Sequence, residues 1–192
     1  MTEADPTASL RRTIYLVLTW VAVAIAAGQV IGVENLYEPS RYKPAEGKFG
    51  ADRAPLFVPP RTWPTERPEP TPMFGSNDRS RWATVRALVD NGTFVVGHRR
   101  NFDAKEPPFQ DEGIIFESGW EAVDKIMDPK TGDFYSTKPP LFAVMVASEY
   151  WVLKHALGWQ FNRDKWPIVI AILLTVNVLP FAIYLILLAR LI

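Results

Sequence analysis

Asp78, Arg81 and Lys138 are the residues of this sequence whose types and surroundings point to chemistry. Asp78 belongs to the stretch 75–94, which opens with Ser76, Asn77 and Asp78, side chains that start helices, and stops at Asn91-Gly92. Trp82, Val85, Leu88 and Val89 fall on one face of that run; Arg81, Thr84, Arg86 and Asp90 take the other, the spacing of an amphipathic helix. A carboxylate therefore sits at the mouth of a short helix, where it can cap the helix, whose dipole stabilises its charge. Lys138 stands in Phe134-Tyr135-Ser136-Thr137-Lys138-Pro139-Pro140-Leu141. An ammonium there can lay its stem along an apolar boundary and keep its head in water. Arg81, one turn after Asp78, is placed to be its ion-pair partner.

Other chemistries are poorly served. There is no cysteine, so neither a disulfide framework nor a thiolate metal site exists, and His98 and His155 are the only imidazoles. Lys and Arg number 21 against 21 Asp and Glu, and this zero balance gives no reason to expect nucleic acid as a partner. Asp103, Glu106, Asp111, Glu112 and Glu117 lack the spacing of a calcium loop. Their mixture with Arg99-Arg100 reads as a solvated loop with a hairpin over 95–119. Residues 120–127 read as a short helix, and 128–133 as a turn whose composition accounts for both of its aspartates.

The elements that must position these residues are two apolar runs at the ends of the chain. Residues 13–32 contain no charge and have the length that crosses a hydrocarbon core. Ala22, Ala24, Ala26 and Ala27 offer a signal-peptide cleavage site, but the apolar run continues through Val30-Ile31, so a span is expected. Residues 166–189 form a second span interrupted only by Thr175, Asn177 and Pro180; Asn177 and Pro180 are expected to face other helices, since a lone polar group facing lipid is costly. Arg11-Arg12 and Arg190 place both termini in the cytoplasm, with the intervening loop outside a cytoplasmic (inner) membrane.

Residues 141–157 are mainly apolar but carry Glu149, Lys154 and His155. Tyr150, Trp151 and Trp159 gather near their end, as aromatics do at a membrane boundary, and the stretch is expected to lie in the interface, a third crossing being the alternative. Residues 34–72 hold nine of the 17 prolines, and 39–72 read as an extended strap that Tyr42, Phe57 and Trp63 can pin to a neighbour. The fold class is then mainly α: two transmembrane helices enclosing a large extracytoplasmic loop with two or three short juxtamembrane helices. The division is 1–12 cytoplasmic, 13–32 first span, 33–165 loop (strap 39–72, Asp78 helix 78–91, interfacial helix 139–157), 166–189 second span and 190–192 cytoplasmic end.

Asn77-Asp78-Arg79-Ser80-Arg81-Trp82, leading into an amphipathic helix with a Gly-Thr-Phe exit, resembles the first external loop of GT-C membrane glycosyltransferases, the protein O-mannosyltransferase and aminoarabinose transferase group. In that group an Asp after the first span is followed three residues later by Arg and then an aromatic, here Asp78, Arg81 and Trp82. An aromatic, two or so residues and Lys-Pro then open a second juxtamembrane helix, as 134–141 does here. The order span, Asp helix, Lys-Pro helix, span also agrees. Arg79 departs from the acidic residue that many relatives carry directly after the aspartate, and Thr137 from an acidic residue before Lys-Pro.

The resemblance implies transfer of a sugar from a polyprenyl-phosphate carrier to an acceptor on the outer face. Asp78 is then the catalytic base; Arg81, Lys138 and Tyr135 bind substrate, with the two cations on the lipid phosphate. It implies no cofactor beyond the lipid-linked donor and names no metal ligand. The expected partners are the bilayer, the lipid-linked sugar and further transmembrane helices of the same enzyme or of a partner subunit, because two spans alone cannot enclose the donor. The isolated chain is expected to be inactive. The alternative is a non-enzymatic two-span protein whose external loop binds a partner.

Overall fold

The computed structural model describes residues 6–32, 72–73, 75–101 and 109–191, with side chains in the first helix from Leu10 onward. Helix α1 (Pro6–Ile31) is followed by α2 (Ser76–Asn91). Strands β1 (Gly97–Arg99) and β2 (Asp111–Glu112), a 3-10 turn (Ile114–Phe116), β3 (Lys125–Met127) and β4 (Asp133–Ser136) come next. Then follow α3 (Pro140–Leu157), α4 (Lys165–Leu173), a π turn (Leu174–Val178) and α5 (Leu179–Leu191). The proline-rich strap and its aromatic pins Tyr42, Phe57 and Trp63 lie outside the described residues.

Two helices are long and apolar enough to cross a membrane, Leu10–Ile31 and the continuous α4–π–α5 rod Lys165–Leu191. They lie along each other, α1 touching the π turn and α5. Pro180 accounts for the π turn: it has no N–H for the carbonyl one turn earlier, and its ring crowds that carbonyl, so the helix widens just before it. Within this chain, Asn177 and Pro180 are not covered by another described helix. Both side chains are exposed, and Asn177 Nδ2 donates to the Leu173 carbonyl 3.1 Å away on its own helix.

Between the two long helices sits a small α+β unit absent from the sequence expectation. Its four strands form an antiparallel sheet in the order β2-β1-β4-β3. The expected helix over 120–127 does not form: Trp120 closes a turn, and Lys125–Met127 pairs with β4. The β1–β2 pairing supplies the anticipated hairpin within 95–119, although buried Ile114 and Ile115 make its far side core rather than solvated loop. Asp128 starts the β3–β4 turn, its carboxylate accepting the Lys130 N–H at 2.8 Å. Asp133, assigned to the same turn, instead opens β4 and faces His98.

α2 lies between this sheet and α3 and buries two faces. Ser80, Ala83, Thr84 and Ala87 are buried with Val85, so Thr84 sits inside rather than on the polar face; its hydroxyl donates to the Ser80 carbonyl at 3.1 Å. Small residues let β4 and the 3-10 turn approach closely. The core centres on Phe161, in the turn between α3 and α4, whose ring meets Tyr150, Trp120 and Trp82 at 4.4, 5.5 and 5.7 Å. Tyr150 is thus a core residue, whereas Trp151 stays exposed. Gly158, at φ 70°, stops α3 and lets the chain turn back.

Candidate functional site

Asp78 does not cap α2. The cap residue is Gly75, in extended conformation, whose carbonyl accepts the Asp78 and Arg79 N–H groups at 3.0 Å each, and no side-chain capping bond forms. Ser76, the first helical residue, uses its hydroxyl elsewhere, accepting the Val123 N–H at 2.8 Å and the Asp124 N–H at 3.3 Å. The Asp78 carboxylate is left at the helix mouth, 49% exposed, 3.8 Å from an Arg81 guanidinium that is itself 44% exposed. An exposed pair of this kind contributes only about 0–1 kcal/mol, so it does not lock the carboxylate in place.

Asp78 and Arg81 stand at the edge of a small cavity of about 100 Å³. Trp82 and Val85 of α2, Phe142, Ala143 and Val146 of α3, and Ile172, Leu173 and Val176 of the α4–π rod form the rest of its wall. One carboxylate and one guanidinium therefore meet an apolar recess where α2 and α3 abut the second membrane-length helix.

Lys138 is near this edge but does not line the cavity. Its ammonium lies 2.8 Å from Asp124 Oδ1, and the two side chains are only 21% and 22% exposed. The Lys138 ammonium first, then the Ser76 hydroxyl, hold the Asp124 carboxyl below its ordinary range, and the charge of Arg81 adds to the effect. The Asp124 carbonyl accepts the Ser80 hydroxyl at 2.6 Å, and Ser80 Oγ meets Ser136 Oγ at 2.7 Å. These bonds dock both 121–124 and 136–139 onto the first turns of α2. The readable signal for them was Ser76 and Ser80, four apart on one helical face. Their partner Asp124 carries no local signature, and sequence reasoning missed it.

Tyr135 is placed elsewhere. Ser136 and buried Phe134 show that alternate β4 residues turn toward α2 and the core, so Tyr135 lies on the opposite sheet face, paired in register with exposed Ile126. It is not brought to Asp78. Arg79, which stands where many members of the resembled group carry an acidic residue, is buried and donates through Nε to the Glu121 carbonyl.

A second recess, an open cleft of about 490 Å³, lies near the other end of α2. Arg86, Asp90, His98, Glu112 and Glu117 supply its charged lining. His98 Nδ1 is 3.0 Å from Asp133 Oδ1; the Thr131 hydroxyl and then His98 keep the Asp133 carboxyl below its usual range. Arg86 forks onto Glu117 at 2.6 and 3.2 Å and lies over the Trp120 ring. Among the described residues, no three His, Asp or Glu side chains gather as a metal site.

No protein-family model, curated protein or solved structure matches the chain.

Proposed function

We propose that the chain crosses a cytoplasmic membrane twice and forms the N-terminal part of a GT-C glycosyltransferase, which moves a sugar from a polyprenyl-phosphate carrier to an acceptor on the outer face. The observation that carries the reading is Asp78: unused as a cap, half exposed, and at the edge of an apolar recess bounded by the second membrane-length helix. In this reading Asp78 takes the acceptor proton. Arg81 and Lys138 stabilise the phosphate as the sugar departs, and the recess receives the first apolar carbons of the carrier. Tyr135 has no part in it. The two membrane-length helices, with apolar side chains such as Leu18, Trp20, Ile183 and Leu187 exposed, support a lipid surrounding.

The test is Asp78→Asn in the complete membrane enzyme, assayed for transfer from a polyprenyl-phosphate sugar. Loss of a general base lowers turnover by about 10²–10⁴-fold while the melting temperature stays near wild type. Unchanged transfer removes Asp78 from the chemistry. That result would favour the second reading, a loop that binds a partner, for which the cleft beside His98 and Glu112 is the supporting feature.

A further inference from the structure

Asp124 pairs with Lys138, one of the two cations assigned to the phosphate, and its main chain is fixed from both sides. Its N–H donates to Ser76 Oγ and its carbonyl accepts the Ser80 hydroxyl, while Ser136 Oγ, in contact with Ser80, accepts the Lys138 N–H at 3.1 Å. The result is a closed ring of bonds that presents the Asp124 carboxylate to Lys138 Nζ at 2.8 Å, within the field of Arg81. A carboxylate held in this way meets the Lys138 ammonium much as a phosphate oxygen would.

We propose that Asp124 is an internal counter-anion: it occupies the phosphate position of Lys138 and must release Lys138 before an anionic headgroup binds. The ligand class is a phosphate ester on an apolar chain or free phosphate, and the inference rests on the reading of Lys138 and Arg81 as phosphate-binding cations. The arrangement sets a threshold. A free anion has to displace a tethered carboxylate whose backbone is already immobilised, so it competes poorly. A headgroup whose chain is also held in the apolar recess has additional binding energy with which to win Lys138.

A simple structural staple would act differently, since its removal lowers stability and leaves anion affinity unchanged or weaker. The discriminating experiment is calorimetric titration of the full chain in detergent micelles with inorganic phosphate and with farnesyl phosphate. Wild type, Asp124→Asn and Asp124→Asn with Lys138→Met are compared. The expected result is that Asp124→Asn binds farnesyl phosphate about tenfold more tightly than wild type, a gain absent from the double variant. Tightening for inorganic phosphate as well identifies the headgroup as sufficient, and tightening for farnesyl phosphate alone identifies the lipid-borne form; either supports the proposal. Unchanged or weaker binding by folded Asp124→Asn overturns it. Should that variant not fold, wild type with ¹⁵N-labelled lysine decides: saturation with farnesyl phosphate must shift the Lys138 Nζ resonance, and an unmoved signal refutes the release. No turnover enters these measurements, whereas Asp78→Asn in the complete enzyme leaves Asp124 intact, so the two proposals fail separately.

Discussion

Tyr150→Phe removes one oxygen from the centre of the molecule, and its consequences can be worked out at two pH values. The Tyr150 side chain is fully buried; its hydroxyl donates to Asp90 Oδ1 at 3.1 Å and accepts the Phe161 N–H at 3.3 Å. Without it the Phe161 N–H loses that acceptor in a buried place, whereas Asp90 keeps the Lys154 ammonium at 2.7 Å. A buried donor left unsatisfied costs about 1–3 kcal/mol, and the phenyl ring preserves the packing against Phe161, so a loss of about 2 kcal/mol is expected at pH 7.

The second consequence comes from the phenol proton. Burial, followed by the Asp90 charge, pushes the Tyr150 pKa up to about 12, whereas an unfolded tyrosine titrates near 10. The folded state therefore holds its proton after the unfolded state has released it. This contribution is complete below about pH 10 and is lost as the pH rises toward about 12, amounting to ~3 kcal/mol over the two units. Unfolding of the full chain in micelles, followed by near-UV circular dichroism from pH 7 to 12, should show wild type losing this increment and Tyr150→Phe lacking it. Coincident curves for the two proteins at both ends of the range would refute the reasoning.

Further outcomes are expected. A Cβ added at Gly97 would lie 2.8 Å from both the Glu112 carbonyl oxygen and Phe116 Cε2, so Gly97→Ala should destabilise the chain by about 1–3 kcal/mol in the same unfolding assay. Ser80→Ala removes the hydroxyl that joins Asp124 to Ser136; a loss of about 1–2 kcal/mol is expected, with faster hydrogen exchange in residues 121–125 as the local signature. The carboxyls of Asp111, beside Arg99, and of Asp124, beside Lys138, have lowered folded pKa values. Their contribution is present above the ordinary carboxylate range and lost as the pH falls through the lowered one, so Asp111→Asn should flatten the acid side of the stability curve below about pH 4.

Local signals had local outcomes. Residues 75–94 announce a helix because Ser76, Asn77 and Asp78 start it and Gly92, at φ 67°, can adopt the left-handed conformation that ends it; the helix observed is Ser76–Asn91. The two membrane-length helices were legible because an uninterrupted apolar run of that length needs no tertiary context. The helix expected over 120–127 failed for the converse reason. Strand Lys125–Met127 is three residues long, too short to show a period, and is a strand only because β4 pairs with it. Tyr150 and Trp151 are adjacent aromatics with the same local pattern, yet one is core and one is surface.

The amino-acid sequence by itself determined the two long apolar helices, the helix that carries Asp78, the proline-led start of α3 and the lack of thiol chemistry, since each follows from the composition of a contiguous stretch. Only the tertiary structure decided that Gly75 rather than Asp78 caps α2, that Tyr135 faces away, and that Asp124 meets Lys138. Those outcomes depend on groups far apart in the chain, Ser80 with Asp124 and Ser136, or Tyr150 with Asp90. A carboxylate's partner is chosen by which polar groups folding leaves without water, and no stretch of sequence records that choice alone.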